Sequence, residues 1–133
     1  MSEQEIDNQQ LFIIDGQLIG CILYILSLVV SIINILNQRK RAVGKEGFLT
    51  PEESQALALL NKVLILALIL WFLYLNYKAK YLAANTNQNT SSLELQILSS
   101  FISIVPALIG LYVVITDFSN TNLQTAEIEN PNI

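Results

Sequence analysis

The side chains able to do chemistry in this chain are few, and most of them lie within or beside long apolar stretches. They are Asp15, Asn34, Asn61, Lys62, Asn76, Glu94 and Gln96. At membrane depth, such groups mark ion paths, ligand sites or hydrogen bonds between helices. An ion path needs carboxylates near the middle of the membrane, but the middle third of each apolar stretch has no charged side chain. Ion-coupled transport by a single chain is therefore disfavoured.

The residue types that most enzymes rely on are also scarce. The chain has no histidine and one cysteine, which excludes a histidine-based zinc site, a Ser-His-Asp triad and an internal disulfide. The sequence has no phosphate-binding glycine loop and no nucleophile–base pair. We therefore expect no enzymatic activity, no cofactor and no metal. The net charge of −4 argues against nucleic-acid binding.

The elements that must position these side chains are three apolar stretches. Of the 133 residues, 53% are hydrophobic and 14% are charged, whereas soluble domains carry about 25% charged residues. Residues 18–36, 57–77 and 97–116 each approach the length of about 20 residues that crosses a bilayer. A chain this small is unable to cover three such helices as a soluble core. The sequence predicts an all-α integral membrane protein, an up-down-up bundle of three transmembrane helices.

Capping signals set the predicted boundaries of the helices. The predicted ranges are 8–43, 51–84 and 92–118, preceded by a short acidic tail, 1–7, and followed by a polar, disordered acidic tail, 119–133. The N-terminal signals are the capping boxes Asp7/Gln10, Thr50/Glu53 (with Pro51 at the first helical position) and Ser91/Glu94. Gly44 is the residue expected just after the first helix.

The orientation in the membrane follows from the basic residues of the connections, because these favour the cytoplasmic side. The first connection carries Arg39, Lys40, Arg41 and Lys45, and the second carries Lys78 and Lys80. This count predicts that the N-terminus lies outside and the C-terminus inside. The abundance of Asn and Ile with no His is typical of an AT-rich bacterial gene, which points to a bacterial cytoplasmic membrane.

Small and hydrogen-bonding residues predict where helices meet, because apolar surface alone does not drive helices together in lipid. In the first span, the positions with spacing 3, 4, 3, 4, 3 are Gln17, Gly20, Tyr24, Ser27, Ser31 and Asn34. Gly16 adds a G-x-x-x-G pair with Gly20. In the third span, the matching face is Ser99, Ser103, Ala107 and Gly110. We expect spans one and three to make the close contacts, with each other or with another chain.

Two further groups of polar residues are assigned by depth. Asn34 and Asn61 both fall near the inner side, so they are expected to hydrogen-bond across the first two helices. Near the outer side, the expected polar cluster is Asp15, Gln17, Asn76, Glu94 and Gln96. This cluster is either an exterior site or a cap wetted by headgroups and water, and the cap is favoured. Lys62 lies about one and a half turns into its span, so its stem is expected to snorkel towards water.

The absence of catalytic chemistry and the seams of small residues favour an interaction protein. We expect an accessory subunit that binds the lipid bilayer and another membrane protein, or itself. A self-assembling, holin-like pore is an alternative, but such pores usually end in a basic tail and this chain has no Lys or Arg after Lys80. A bacteriocin immunity protein is a third hypothesis that no residue selects.

Replacing Gly20 and Ser27 by leucine tests the seam of the first span. The two added side chains are expected to separate the first helix from its neighbour and to lower the thermal unfolding temperature in detergent. Unchanged stability and unchanged assembly would count against the seam.

Overall fold

Three long α-helices make up almost all of the chain that the structure describes. The structure is a computed structural model that describes residues 2–119, with the side chains described up to residue 116. The helices are α1 (Glu3–Ala42), α2 (Pro51–Asn85) and α3 (Ser91–Ser119). At 1.5 Å per residue, they measure about 60, 52 and 43 Å, against about 30 Å for a bilayer core. Each helix is long and apolar enough to cross a membrane.

Helix α1 begins five residues earlier than the Asp7/Gln10 box predicts. Ser2 caps it instead, because the Ser2 hydroxyl accepts from the Glu5 backbone N–H (3.2 Å) and the Glu5 carboxylate accepts from the Ser2 N–H (3.2 Å). The segment predicted as a tail over 1–7 is therefore helical from Glu3. At the other end, Gly44 follows the C-cap with a φ of 81°, a conformation that suits glycine.

The starts of α2 and α3 follow the local signals with one correction. The Thr50 hydroxyl accepts from the Glu53 N–H (3.1 Å), and α2 starts at Pro51 as predicted. At the start of α3, Ser91 is already helical and its N–H donates to the Asn89 side chain (3.0 Å). The predicted Ser91/Glu94 box was therefore wrong. The disordered tail predicted over 119–133 lies outside the described residues, apart from the backbone of residue 119.

Helix α2 is the centre of the fold, since it packs against both of the other helices. Within the described range 2–119, no Cα atom of α1 approaches a Cα atom of α3 within 8 Å. The expected contact between spans one and three was therefore wrong for a single chain. The predicted faces are buried only in part, and the helix that packs on each is α2. Gly20, Ser27, Ser31 and Asn34 of α1 and Ala107 and Gly110 of α3 are buried, whereas Gln17 and Ser99 are exposed.

Helix α1 packs against α2 because small residues of α1 lie opposite large side chains of α2. A Cβ on Gly16 would lie 2.9 Å from a methyl group of Leu75, and a Cβ on Gly20 would lie 2.5 Å from the Phe72 ring. The glycines of α1 therefore form notches that the large side chains of α2 fill. A helix rich in leucine and aromatic residues needs no small residues of its own to pack closely, which is why α2 carried no recognisable interface pattern.

Little of the apolar surface is buried by this packing. In the most apolar 18-residue stretch of each helix, 22%, 28% and 22% of the residues are buried. Exposed large side chains run along the outer faces, for example Leu18, Leu60 and Ile102, which are 60%, 63% and 62% exposed. The fold therefore leaves an apolar surface that far exceeds the patches found on soluble monomers.

Candidate functional site

The centre of the α1–α2 interface is a hydrogen-bonded triad built on Asn61. The Ser27 hydroxyl donates to Asn61 Oδ1 (2.5 Å), and Asn61 Nδ2 donates to the Ser31 hydroxyl (2.8 Å). All three side chains are at most 3% exposed. Asn61 lies six residues from the middle of the apolar span 57–77, about 9 Å along the axis, which is well inside a hydrocarbon core. The polar groups of α1 and α2 thus satisfy one another where neither water nor lipid would.

The interface continues towards the first connection through two more asparagines. Asn34 Oδ1 accepts from the Ser54 hydroxyl (3.1 Å), and Asn37 Oδ1 accepts from the Leu49 N–H (3.0 Å). The Arg41 guanidinium donates to the Leu49 carbonyl. The predicted Asn34–Asn61 hydrogen bond was wrong, because Asn61 is held by the two serines and Asn34 is about a turn too far along. We call Ser27, Ser31, Asn34, Asn37, Ser54 and Asn61 the polar seam.

Asn37 and Ser54 belong to the polar seam, yet sequence analysis missed both. Asn37 extends the series Ser27, Ser31, Asn34 by three residues, so the same spacing rule would have found it. It was passed over because it lies beyond the apolar stretch 18–36. Ser54 was missed for the same reason, because it lies before the span 57–77. The seam therefore reaches beyond the stretches that hydropathy defines.

The polar seam and the neighbouring Lys62 contain several buried hydrogen-bond donors. The Nδ2 groups of Asn34 and Asn37 are buried and have no acceptor among the described residues. Lys62 is 6% exposed and is engaged within the fold. The Lys62 stem was expected to snorkel towards water, and the structure shows that the helices cover most of this side chain. Buried hydrogen-bond donors therefore gather at this end of the α1–α2 interface.

Aromatic side chains close the opposite end of the α1–α2 interface. Trp71 Nε1 donates to the Gly16 carbonyl (2.9 Å), a bond to the backbone of the neighbouring helix. The Lys78 ammonium lies 4.3 Å from the centre of the Phe12 ring and 5.6 Å from that of Tyr74. These cation–π contacts hold the end of α1 against α2 where aromatic belts are expected.

The five residues of the predicted outer polar cluster are not joined into one network. Glu94 pairs with Lys80 (3.6 Å) and accepts from Thr90 (3.4 Å). Asp15, Gln17 and Gln96 are exposed, and Asn76 is half-buried. The amides of Gln17, Asn76 and Gln96 are thus accessible to a ligand or to water.

The predicted face of α3 divides into two halves. Ala107 and Gly110 are buried, and α2 is the helix against which α3 packs. Ser99 is exposed and Ser103 is half-buried, and both border an open groove of about 450 Å³ between α1 and α3. The Ser103 hydroxyl donates to the Ser99 carbonyl of its own helix (2.8 Å).

Helix α2 forms the floor of this groove and the other two helices form its walls. The floor includes Ile69 and Phe72, and the wall contributed by α1 includes Cys21 and Tyr24. The groove exists because α1 and α3 both pack on α2 without approaching each other. We call it the α1–α3 groove.

The basic residues that predict the orientation lie at the end of α1 and in the first connection. Arg39, Lys40 and Arg41 occupy the last turn of α1, where positive charge suits the carbonyl end of a helix. The Lys40 ammonium lies 5.4 Å from the centre of the Phe48 ring, and Lys45 is exposed. Side chains of α1 thus pack over the first connection.

Comparison with known proteins gives no independent indication of function. No family model matches the chain, and neither the curated proteins nor the solved structures contain a significant match. In the described range, no group of three or more His, Cys, Asp or Glu residues is placed to hold a metal ion. The features of this chain that bear on function are the polar seam, the α1–α3 groove and the apolar surface.

We predict that Asn61→Leu destabilises the α1–α2 interface by about 1 kcal/mol, because it removes both interhelical hydrogen bonds of the triad. The measurement is reversible unfolding in detergent micelles, followed by circular dichroism. Ala67→Leu is the matched control, since it adds bulk to an exposed position of the same helix. Equal stability of the two variants would show that the triad contributes nothing.

Proposed function

We propose that this chain is a small, non-enzymatic integral membrane protein that serves as an accessory subunit of a larger membrane complex. The observation that carries the proposal is the apolar outer surface of all three helices. In the most apolar 18-residue stretch of each helix, fewer than a third of the residues are buried. Lipid covers such a surface in a membrane, and a partner helix is able to replace part of that lipid. The polar seam supports the proposal by making α1 and α2 a self-contained hairpin.

The location of the polar side chains favours an accessory subunit over a self-assembling pore. A water-filled pore needs polar groups on the face that lines its lumen. Ser27, Ser31, Asn34 and Asn61 are buried between α1 and α2 of one chain, so they are not available to line a lumen between chains. The outer faces of the helices at the same depth are apolar, as at Val29, Ile32 and Val63.

The proposed location is a bacterial cytoplasmic membrane, with the N-terminus outside and the C-terminus inside. The four basic residues at the first connection support this orientation through the positive-inside rule. Lys45 is exposed there, whereas Lys80 at the other end is paired with Glu94. Pairing lowers the net charge of the second connection, which strengthens the contrast between the two ends.

Gentle extraction followed by native mass spectrometry tests the accessory-subunit proposal. The chain is extracted from its own membrane, and the mass of the intact complex is measured. The proposal predicts a heteromer with a larger membrane protein. The Asn61→Leu variant, whose hairpin is weakened, is expected to reduce recovery of the heteromer relative to wild type.

Two other outcomes would overturn the proposal. A homo-oligomer with no other subunit would favour the pore, and conductance across a planar bilayer would then be measured. A clean monomer after gentle extraction would contradict any stable assembly.

The orientation makes a separate prediction that uses single cysteines in a Cys21→Ser background. Lys45→Cys and Gln88→Cys place a thiol at the first and second connections, both at exposed positions. In intact cells, an impermeant maleimide is expected to label Gln88→Cys and to leave Lys45→Cys unlabelled until the membrane is permeabilised. If Lys45→Cys alone were labelled in intact cells, the orientation would be the reverse of the one proposed.

A further inference from the structure

The α1–α3 groove has the chemistry of a binding site for one hydrocarbon chain. Its volume of about 450 Å³ falls within the range of small-molecule sites. Its floor is apolar, and two of its serines are already satisfied, because Ser100 and Ser103 donate to the Gln96 and Ser99 carbonyls of their own helix (3.0 and 2.8 Å). These hydroxyls do not need to donate a hydrogen bond to a bound molecule, so a purely apolar segment fits beside them.

The groove is short enough to fit within one leaflet of a bilayer. Its floor runs from Ile65 to Phe72, about 10 Å along the axis of α2. Residue 67 is the middle of the apolar span 57–77, so the groove extends from near the midplane towards the end that carries the second connection. One leaflet of hydrocarbon is about 15 Å thick. A chain that enters from that end is therefore accommodated without crossing the midplane.

Polar groups stand at the open end of the groove on all three helices. By helical register, Gln17 lies one turn beyond Cys21, Asn76 one turn beyond Phe72, and Gln96 one turn beyond Ser99 and Ser100. Gln17 and Gln96 are exposed and Asn76 is half-buried. An apolar groove that ends at accessible amide donors and acceptors is complementary to an amphiphile with a polar head.

We propose that the α1–α3 groove binds one acyl chain of a phospholipid from the surrounding bilayer, with the headgroup at Gln17, Asn76 and Gln96. Phospholipid is the abundant amphiphile at this depth, and the groove is open to it along its side. This proposal needs only that the helices span a membrane, so it stands or falls separately from the accessory-subunit proposal.

The test adds defined phospholipid to the delipidated, full-length protein in mild detergent and counts bound lipids by native mass spectrometry. Ser103→Phe fills the groove, and Ile102→Phe is the matched control because Ile102 is 62% exposed on the outer face. Wild type and Ile102→Phe are expected to retain one phospholipid per chain. Ser103→Phe is expected to bind roughly tenfold less, as when about two methylene groups lose their burial.

Equal binding by the two phenylalanine variants, or no retained phospholipid on wild type, would overturn the proposal. So would a wild-type dimer that Ser103→Phe dissociates, because a second copy would then occupy the groove. Asn76→Leu is expected to weaken binding of phospholipid while leaving the helical circular dichroism signal unchanged.

A second measurement needs no groove-filling variant. Cys21 is the single cysteine of the chain and borders the groove. Its reaction with N-ethylmaleimide in lipid-free micelles is expected to slow as phospholipid is added, with saturation at one lipid per chain. A rate that does not depend on phospholipid would contradict occupancy of the groove.

Discussion

The requirement that polar groups be paired inside hydrocarbon is the constraint on which this structure depends. Asn61 is 1% exposed between apolar helices, so its amide has to find a donor and an acceptor within the protein. Ser27 and Ser31 supply them from α1 at 2.5 and 2.8 Å. This arrangement fixes which face of α1 meets α2 and sets the register of the two helices. Every other contact of the α1–α2 hairpin is compatible with that register.

The register then decides where close packing occurs. With Asn61 between Ser27 and Ser31, the notches at Gly16 and Gly20 fall opposite Leu75 and Phe72. Helix α2 is the central helix because its large side chains fill the notches at the small residues of α1, while α3 packs against another part of the surface of α2. The same arrangement keeps α1 and α3 apart and leaves the α1–α3 groove. The groove is therefore a consequence of the packing and needs no residues dedicated to forming it.

The sequence predicts the helices well and their partners poorly, for physical reasons. Thr50 and Pro51 mark the start of α2 because capping is local chemistry, and the apolar stretches reveal three helices because each stretch has the length that a bilayer requires. The helices extend beyond these stretches, and the start of α1 at Glu3 was not predicted. The partner of Gly20 was misassigned because a glycine notch shows only that something packs there; the large residue that fills it, Phe72, has no distinctive pattern. Asn34 was paired with Asn61 by depth alone, whereas a difference of one turn decides which hydrogen bond forms. The groove depends on the angle between helices, which no local pattern encodes.

Disulfide trapping in native membranes tests whether the polar seam lies within one chain. A Ser27→Cys/Asn61→Cys pair is placed in a Cys21→Ser background with a protease site in the exposed part of the first connection. After oxidation with a membrane-permeable catalyst, the account predicts a monomeric band whose two halves stay joined when the connection is cleaved. A band at dimer mass, with halves of the monomer that separate on cleavage, would show that the seam joins two chains and would contradict the account.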